Sequence, residues 1–209
     1  MNNYIPIPKD KPILIDACIL MVGIDKRLTD SNFSLDRMFN AWMNSILLYF
    51  ENILIHKVVY NELDNDTRVI VDENIGKNIT IVDDYDLIDV DPEYMRVFNQ
   101  IHDHALMNDP CSKTKNQGEV HSLAYACYKN IPFFSTKDFV VDLVCNDIED
   151  LRSITIVGFE SILAIAYTSS VADKNKRKTL KALYKEYCAP KIRQGAIPKT
   201  LAEFVGESN

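Results

Sequence analysis

The chain has 209 residues, of which 47% are apolar and 25% are charged, and these fractions are typical of a folded globular protein. Its net charge of −7 argues against a protein that coats nucleic acid through overall positive charge. Five cysteines without a CxxC pair favour reduced thiols in the cytoplasm. The sequence shows neither a signal peptide nor a long apolar run, so we expect no association with a membrane.

Short runs of β-branched residues alternate with amphipathic stretches along most of the chain. Strands are predicted at residues 12–20, 52–56, 79–82, 132–135 and 153–157. Helices are predicted at residues 34–50 (with Ser34 as N-cap), 58–63, 92–107, 119–129 and 138–146, with a polar loop at 108–117. Because helical crossovers between strands favour parallel pairing, we expect an α/β fold, a three-layer α/β/α sandwich with a mostly parallel central sheet.

From Phe159 onward the pattern is helical. We therefore expect one α/β domain over residues 1–158 and a C-terminal helical extension over residues 159–209, packed on or next to that domain. Between residues 173 and 193 this extension carries eight basic residues against two acids. The ordinary interpretation is a solvated helix face. The alternative is contact with nucleic-acid phosphates or with an acidic partner, through Lys174, Lys176, Arg177, Lys178 and Lys181.

Four acids occupy positions where strands end or helices begin. Asp16 lies within an apolar strand, where a carboxylate is costly unless it is paired or binds a cation. Glu62 and Asp138 each follow a predicted strand, and Glu119 opens a helix. Singly, each of these three is explained as a helix-start acid or a cap. Together they would meet at the carboxyl edge of the sheet, where a hard cation, Mg²⁺ or Mn²⁺, would relieve their mutual repulsion.

Four segments carry a resemblance to a known family: ILIDACIL around Asp16, VVYNEL around Glu62, NQGEVHSLAYA around Glu119 and FFSTKDF around Asp138. In their order and spacing they resemble the PIN domain nucleases (PilT N-terminus domain), which include the VapC-type toxins. The resemblance covers residues 3–157 and implies a PIN-like α/β/α sandwich. It also implies an endoribonuclease that hydrolyses RNA with Mg²⁺ or Mn²⁺, either a toxin or an RNA-processing enzyme.

The same resemblance implies roles for individual side chains. Asp16, Glu62, Glu119 and Asp138 would be the catalytic residues, and all of them except Glu62 would bind the metal directly. Glu62 would act through water or orient the attacking water.

Two further residues would support this site. Thr136 would hydrogen-bond a neighbouring acid or the backbone. Asp142 lies one helical turn after Asp138 and would be a reserve carboxylate.

Cys18 stands where many members of the family have Ser, Thr or Asn. This departure, the acidic net charge and the basic C-terminal segment motivate an alternative: a catalytically weak or inactive PIN-like module that binds RNA or a protein partner. A structure-specific DNA nuclease related to the flap endonucleases is a third option. An antitoxin and a homodimer are both left open as partners.

Histidines give no metal signal in the sequence. His102 and His104 are two residues apart, which places them on different sides of a helix, and Cys111 supplies no recognisable fourth ligand. His56 and His121 are interpreted as structural histidines.

Overall fold

The computed structural model describes residues 4–22, 35–108 and 116–207 of the chain. The predicted N-cap Ser34, Cys111 and most of the predicted loop at 108–117 lie outside these residues. The strands are β1 (Ile13–Ile15), β2 (Ile53–His56), β3 (Ile79–Val82), β4 (Phe133–Ser135) and β5 (Thr155–Val157). The described helices are α1 (Ala17–Leu20), α2 (Leu35–Tyr49), α3 (Lys57–Glu62), α4 (Asn65–Asn74), α5 (Pro92–His102), α6 (Gln117–Tyr128), α7 (Phe139–Asp147), α8 (Phe159–Ser169), α9 (Lys174–Tyr187), α10 (Ala189–Arg193) and α11 (Leu201–Phe204).

All five strands form one sheet in the order β3-β2-β1-β4-β5, and every pair is parallel. Ile13 of β1 pairs with Ile53 of β2 on one side and with Phe133 of β4 on the other. Helices flank this sheet, and the prediction of an α/β fold with a parallel central sheet is confirmed.

The strand order creates a point at which the connections change direction. The chain runs from β1 outward through β2 and β3, and then crosses back to place β4 on the other side of β1. In open parallel sheets, the crevice at such a reversal, at the carboxyl ends of the strands, is the usual place for a ligand. Residues that directly follow β1 and β4 are therefore in the position most suited to function.

Strand β1 is shorter than predicted. The sequence predicts a strand over residues 12–20, whereas β1 ends at Ile15 and residues 17–20 form helix α1. The chain turns at Asp16, because its backbone carbonyl accepts hydrogen bonds from the N–H groups of Ile19 and Leu20. Asp16 consequently lies just after the strand, at its carboxyl end.

The core beside the sheet is built from residues of β1, β4 and helices α5, α6 and α7. Leu14 and Phe134 extend from neighbouring strands into this core, where they meet Val97 and Leu123. Ile13 and Ile15 alternate with Leu14 along β1 and are also fully buried. Burial of both faces explains why β1 is an unbroken apolar run rather than an alternating one.

Contacts divide the chain into two compact units. One consists of residues 10–20 and 51–157 and contains all five strands, and the other consists of residues 1–9, 21–50 and 158–209. Helix α2 therefore belongs with the C-terminal helices, and the packing of a separate extension against an α/β domain stays a prediction.

Aromatic contacts hold the helical unit together. Trp42 of α2 is fully buried, with its ring 4.7 Å from that of Phe159 at the start of α8. The Tyr184 hydroxyl of α9 donates to the Pro198 carbonyl at 2.8 Å. None of the helices within the described ranges is long and apolar enough to cross a membrane.

We expect Leu14→Ala to lower the free energy of unfolding by about 2–5 kcal/mol, because a fully buried leucine at the centre of the sheet leaves a cavity when truncated. Urea unfolding monitored by circular dichroism measures the loss. Leu48→Ala is the matched control, since Leu48 is 80% exposed and its truncation should change stability by less than about 0.5 kcal/mol. Equal losses in the two variants would contradict the assigned core.

Candidate functional site

Asp16 lies at the junction of β1 and β4, with only 3% of its surface exposed. Its N–H donates to the carbonyl of Ser135, the last residue of β4, at 3.0 Å. Its carboxylate accepts a hydrogen bond from the Thr136 hydroxyl at 3.2 Å. Burial raises the pKa of Asp16, although hydrogen bonds from Cys18, Ala17 and Thr136 act in the opposite direction. The structure therefore holds a carboxylate where its charge is poorly solvated.

Thr136 connects Asp16 to Asp138. Its hydroxyl oxygen accepts the N–H of Asp138 at 3.1 Å while its proton is donated to Asp16. Asp138 in turn caps α7 by accepting the N–H of Val140 at 2.9 Å. Thr136 thus forms hydrogen bonds with two of the predicted acids, which lie at the ends of neighbouring strands. Its supporting role in a catalytic site stays a prediction.

Cys18 lies against the same hydroxyl. Its sulfur is 3.5 Å from Thr136 Oγ1 and accepts the N–H of Lys137 at 3.2 Å. Burial and the adjacent charge of Asp16 raise the pKa of the Cys18 thiol to about 12. Cys18 is therefore a neutral thiol at physiological pH and supplies neither a nucleophile nor an anionic ligand.

Glu62 lies against Gly118, the residue before Glu119. Glu62 is the last residue of α3, and Glu119 lies in the first turn of α6. A β-carbon on Gly118 would lie 3.2 Å from Glu62 Oε1 and 3.1 Å from Val59 Cγ2. A side chain at position 118 would therefore crowd Glu62, which is itself an exposed residue.

The neighbouring carboxylates affect the pKa of Glu119. Burial raises the pKa of Glu119 to about 7, with the charge of Asp16 as the next cause and those of Glu62 and Asp138 adding to it. Burial and then Asp16 also raise the pKa of Glu62. The charges of Asp16, Glu62 and Asp138 therefore act on Glu119. Among the residues that the structure describes, however, no three of these four acids bring their carboxylate oxygens within 4.8 Å of one another.

The two remaining groups of predicted residues have different surroundings. Asp142 is exposed on α7, where its carbonyl accepts a hydrogen bond from the side-chain amide of Asn146 at 2.8 Å. On α9, Lys174, Lys178 and Lys181 are exposed and Lys176 is half-buried. Arg177 is held internally, because it donates to Glu207 and stacks 3.8 Å from the centroid of the Tyr167 ring. Their roles as a reserve carboxylate and as nucleic-acid contacts stay predictions.

A second polar cluster lies at the carboxyl ends of β2 and β3. In the part of the chain that the structure describes, His56, Asp84 and His121 form the group of three whose ligand atoms come within 4.8 Å of one another. His121 Nδ1 is 2.6 Å from one Asp84 oxygen, and His56 Nε2 is 3.4 Å from the other. The Tyr94 hydroxyl also donates to Asp84.

Asp84 is ionised in this cluster. Its burial alone would raise the pKa, but His121, His56 and Tyr94 outweigh that effect and hold the pKa of Asp84 well below its usual range. His56 is oriented separately, because its Nδ1 accepts the N–H of Val58 at 3.3 Å and so caps α3. A cap of this kind contributes about 1 kcal/mol to helix stability.

Sequence patterns missed this second cluster because its members are distant in the chain. His56 and His121 were interpreted as structural, and Asp84 lies within a run of exposed acids that resembles a solvated surface. The one available signal was position, since His56 ends a predicted strand and Asp84 closely follows another. By contrast, His102 and His104 contact different carboxylates, those of Asp103 and Asp147, as their spacing suggested.

Compared with known protein families, with curated proteins and with solved structures, the chain matches none of them. The resemblance to PIN domain nucleases therefore depends on the four short motifs and stays a prediction.

Without metal, we expect the stability of the protein to fall as pH rises from about 5 to 7.5. The folded-state pKa of Glu119 lies above the unfolded value of 4.5, so the folded protein holds more protons in this window and loses that advantage as Glu119 ionises. Glu119→Gln should remove this loss and stabilise the protein at pH 7.5 by about 1–3 kcal/mol. Urea unfolding in EDTA at the two pH values measures both effects.

Glu73→Gln is the control for this experiment, because Glu73 is an exposed residue of α4. It should leave the pH dependence unchanged. A wild-type stability that is the same at pH 5 and 7.5, or a slope that Glu119→Gln leaves intact, would show that the acids do not repel one another as described.

Proposed function

We propose that this protein is a metal-dependent endoribonuclease, with Mg²⁺ or Mn²⁺ bound among Asp16, Glu119 and Asp138. The observation that carries the proposal is the position of Asp16, a buried carboxylate at the β1–β4 junction that Thr136 links by hydrogen bonds to Asp138. Glu119 and Asp138 are half-buried, and a cation bound among these acids would relieve the repulsion that helps to raise the pKa of Glu119.

The ligand chemistry of the cluster suits a hard cation. Its members offer carboxylate oxygens, with a threonine hydroxyl beside them, and no imidazole or thiolate among the acids. Mg²⁺ keeps several waters and is commonly bound by only one or two carboxylates directly. Bound there, such an ion would stabilise charge on a phosphate and lower the pKa of a coordinated water.

The chain's own residues would prepare this reaction. Thr136 fixes the orientation of the Asp16 carboxylate and, through the N–H of Asp138, the start of α7. Glu62, an exposed residue whose carboxylate lies against Gly118, would orient the attacking water. Helices α1 and α7 begin directly after β1 and β4, which places Asp16 and Asp138 at the same edge of the sheet.

A nucleic-acid substrate is supported by the surface next to the acids. Phe139 directly follows Asp138, and its side chain is 73% exposed. An exposed aromatic ring beside a phosphate-binding centre can stack on an unpaired base, as side chains of single-strand-binding proteins do. This supports single-stranded RNA as the substrate class. The reduced cysteines Cys18, Cys127, Cys145 and Cys188 support action in the cytoplasm.

We expect Mn²⁺ to bind more tightly at pH 8 than at pH 6, because a proton competes with the cation for Glu119 in this range. Isothermal titration of Mn²⁺ into the metal-free protein should show an affinity gain of about tenfold over those two pH units. Asp16→Asn should abolish or greatly weaken the binding. Binding that is equal in the wild type and in Asp16→Asn would place the ion elsewhere.

Cleavage of a labelled single-stranded RNA pool in Mn²⁺ should fall on the order of 10²–10³-fold in Asp16→Asn, because the group that positions the charge-stabilising ion is lost. Asp66→Asn is the matched control, since it makes the same chemical change at an exposed carboxylate of α4. Its activity should stay within about twofold of the wild type.

Two outcomes of the cleavage experiment would contradict the proposal. Equal losses in Asp16→Asn and Asp66→Asn would remove the special role of the buried acid. A wild-type protein that binds Mn²⁺ and RNA without cutting would favour the alternative, an inactive binding module. The neutral Cys18 thiol beside Asp16 is the structural feature that supports this alternative.

A further inference from the structure

The His56–Asp84–His121 cluster is separate in its residues and its chemistry from the four acids. His56 ends β2, Asp84 follows β3, and His121 belongs to α6. Their ligand atoms lie within 4.8 Å of one another. We propose that these three side chains form a second metal site, which takes a divalent transition cation of the Zn²⁺ type. The inference does not depend on the proposed ribonuclease function.

The donor set determines which cations fit. Two imidazole nitrogens with one carboxylate oxygen suit Zn²⁺ and its first-row neighbours, whereas Mg²⁺ and Ca²⁺ prefer oxygen alone. Zinc–ligand bonds of about 2.0–2.1 Å place tetrahedral ligands roughly 3.3 Å apart. The distance of 3.4 Å between His56 Nε2 and Asp84 Oδ1 already matches this spacing. The distance of 2.6 Å between His121 Nδ1 and Asp84 Oδ2 is that of a hydrogen bond and would lengthen by less than about 1 Å.

An independent observation comes from His56. His56 is fully buried, and its Nε2 atom makes no hydrogen bond of ordinary geometry, because the Asp84 Oδ1 atom that it faces lies 3.4 Å away. Buried polar atoms are nearly always satisfied at shorter range, so this long contact leaves the ring nitrogen poorly partnered. A cation between His56 Nε2 and Asp84 Oδ1 would supply a partner.

Metal binding would change the protonation of both rings. In the metal-free structure His56 Nδ1 accepts the N–H of Val58, which places the ring proton on Nε2. Coordination through Nε2 moves that proton to Nδ1 and breaks this long hydrogen bond of 3.3 Å. In His121 the proton moves from Nδ1 to Nε2. One weak cap is therefore exchanged for metal–ligand bonds, which are much stronger.

The surroundings suit a structural site more than a catalytic one. The Phe98 ring packs edge-on to His121, with centroids 5.0 Å apart, and Tyr125 packs against His56 at 6.0 Å. The Tyr94 hydroxyl donates to Asp84, as groups behind a metal ligand commonly do. Because the ligands come from three distant parts of the chain, a bound cation would tie β2, the segment after β3 and α6 together.

The experiment uses the full chain, stripped of metal by a chelator. We expect one equivalent of ZnCl₂ to bind in isothermal titration and to raise the Tm by about 5–10 °C at excess metal. His121→Gln should weaken zinc binding at least tenfold. His102→Gln is the matched control, since His102 contacts Asp103 outside the cluster, and it should bind zinc as the wild type does. Asp16→Asn should also bind zinc normally, which separates this site from the proposed nuclease centre.

A measurement on the wild type covers the case in which His121→Gln does not fold. During a zinc titration, the ring-nitrogen resonances of His56 and His121 should shift together, while those of His102 and His104 stay in place. No zinc binding by the wild type, undiminished binding by His121→Gln, or shifts confined to other histidines would each overturn the proposal.

Discussion

The buried carboxylate of Asp16 is the constraint on which the arrangement of the sheet edge depends. It ends β1 at the centre of a parallel sheet, where both faces are covered and water cannot solvate its charge. Hydrogen bonds from Thr136 and from the start of α1 reduce this penalty but do not remove it, since the pKa of Asp16 remains raised. The local geometry follows from these contacts, because the turn into α1 and the junction of β1 with β4 both involve Asp16.

Coulomb repulsion gives the neighbouring acids a common behaviour. The effect is clearest at Glu119, whose pKa is raised to about 7 because its side chain is desolvated and lies near like charges. The buried Asp84 shows the opposite shift, because contacts with His121, His56 and Tyr94 hold its pKa well below its usual range. A half-buried and a buried carboxylate of the same unit thus have pKa values shifted in opposite directions.

Much of the fold was predictable because its signals are local. The positions of all five strands were predictable from apolar runs rich in β-branched residues. The alternation of these runs with helices indicated parallel pairing. The error at residues 17–20 has a physical cause, since an apolar run does not show where backbone hydrogen bonds turn from strand to helix. Helix α4 was missed because it is largely exposed and carries few apolar positions.

The two polar clusters differ in how far sequence could reveal them. Asp16 stands out because a charge interrupts an apolar strand, and Asp138 because it follows one, so each has a local signature. Asp84 also follows a strand, but it lies in a run of acids. Its partners are His121, 37 residues later, and His56, on another strand, and only the fold brings them together.

Helix α6 joins the two clusters. It carries Glu119 in its first turn and His121 two residues later, which places the two side chains on different sides of the helix. The charges of the acids at the β1–β4 junction act on Glu119, whereas His121 forms a hydrogen bond of 2.6 Å with Asp84. Helix α6 therefore couples the two clusters, since any shift of this helix changes both the 2.6 Å contact of His121 with Asp84 and the distance of Glu119 from the charges of the other acids.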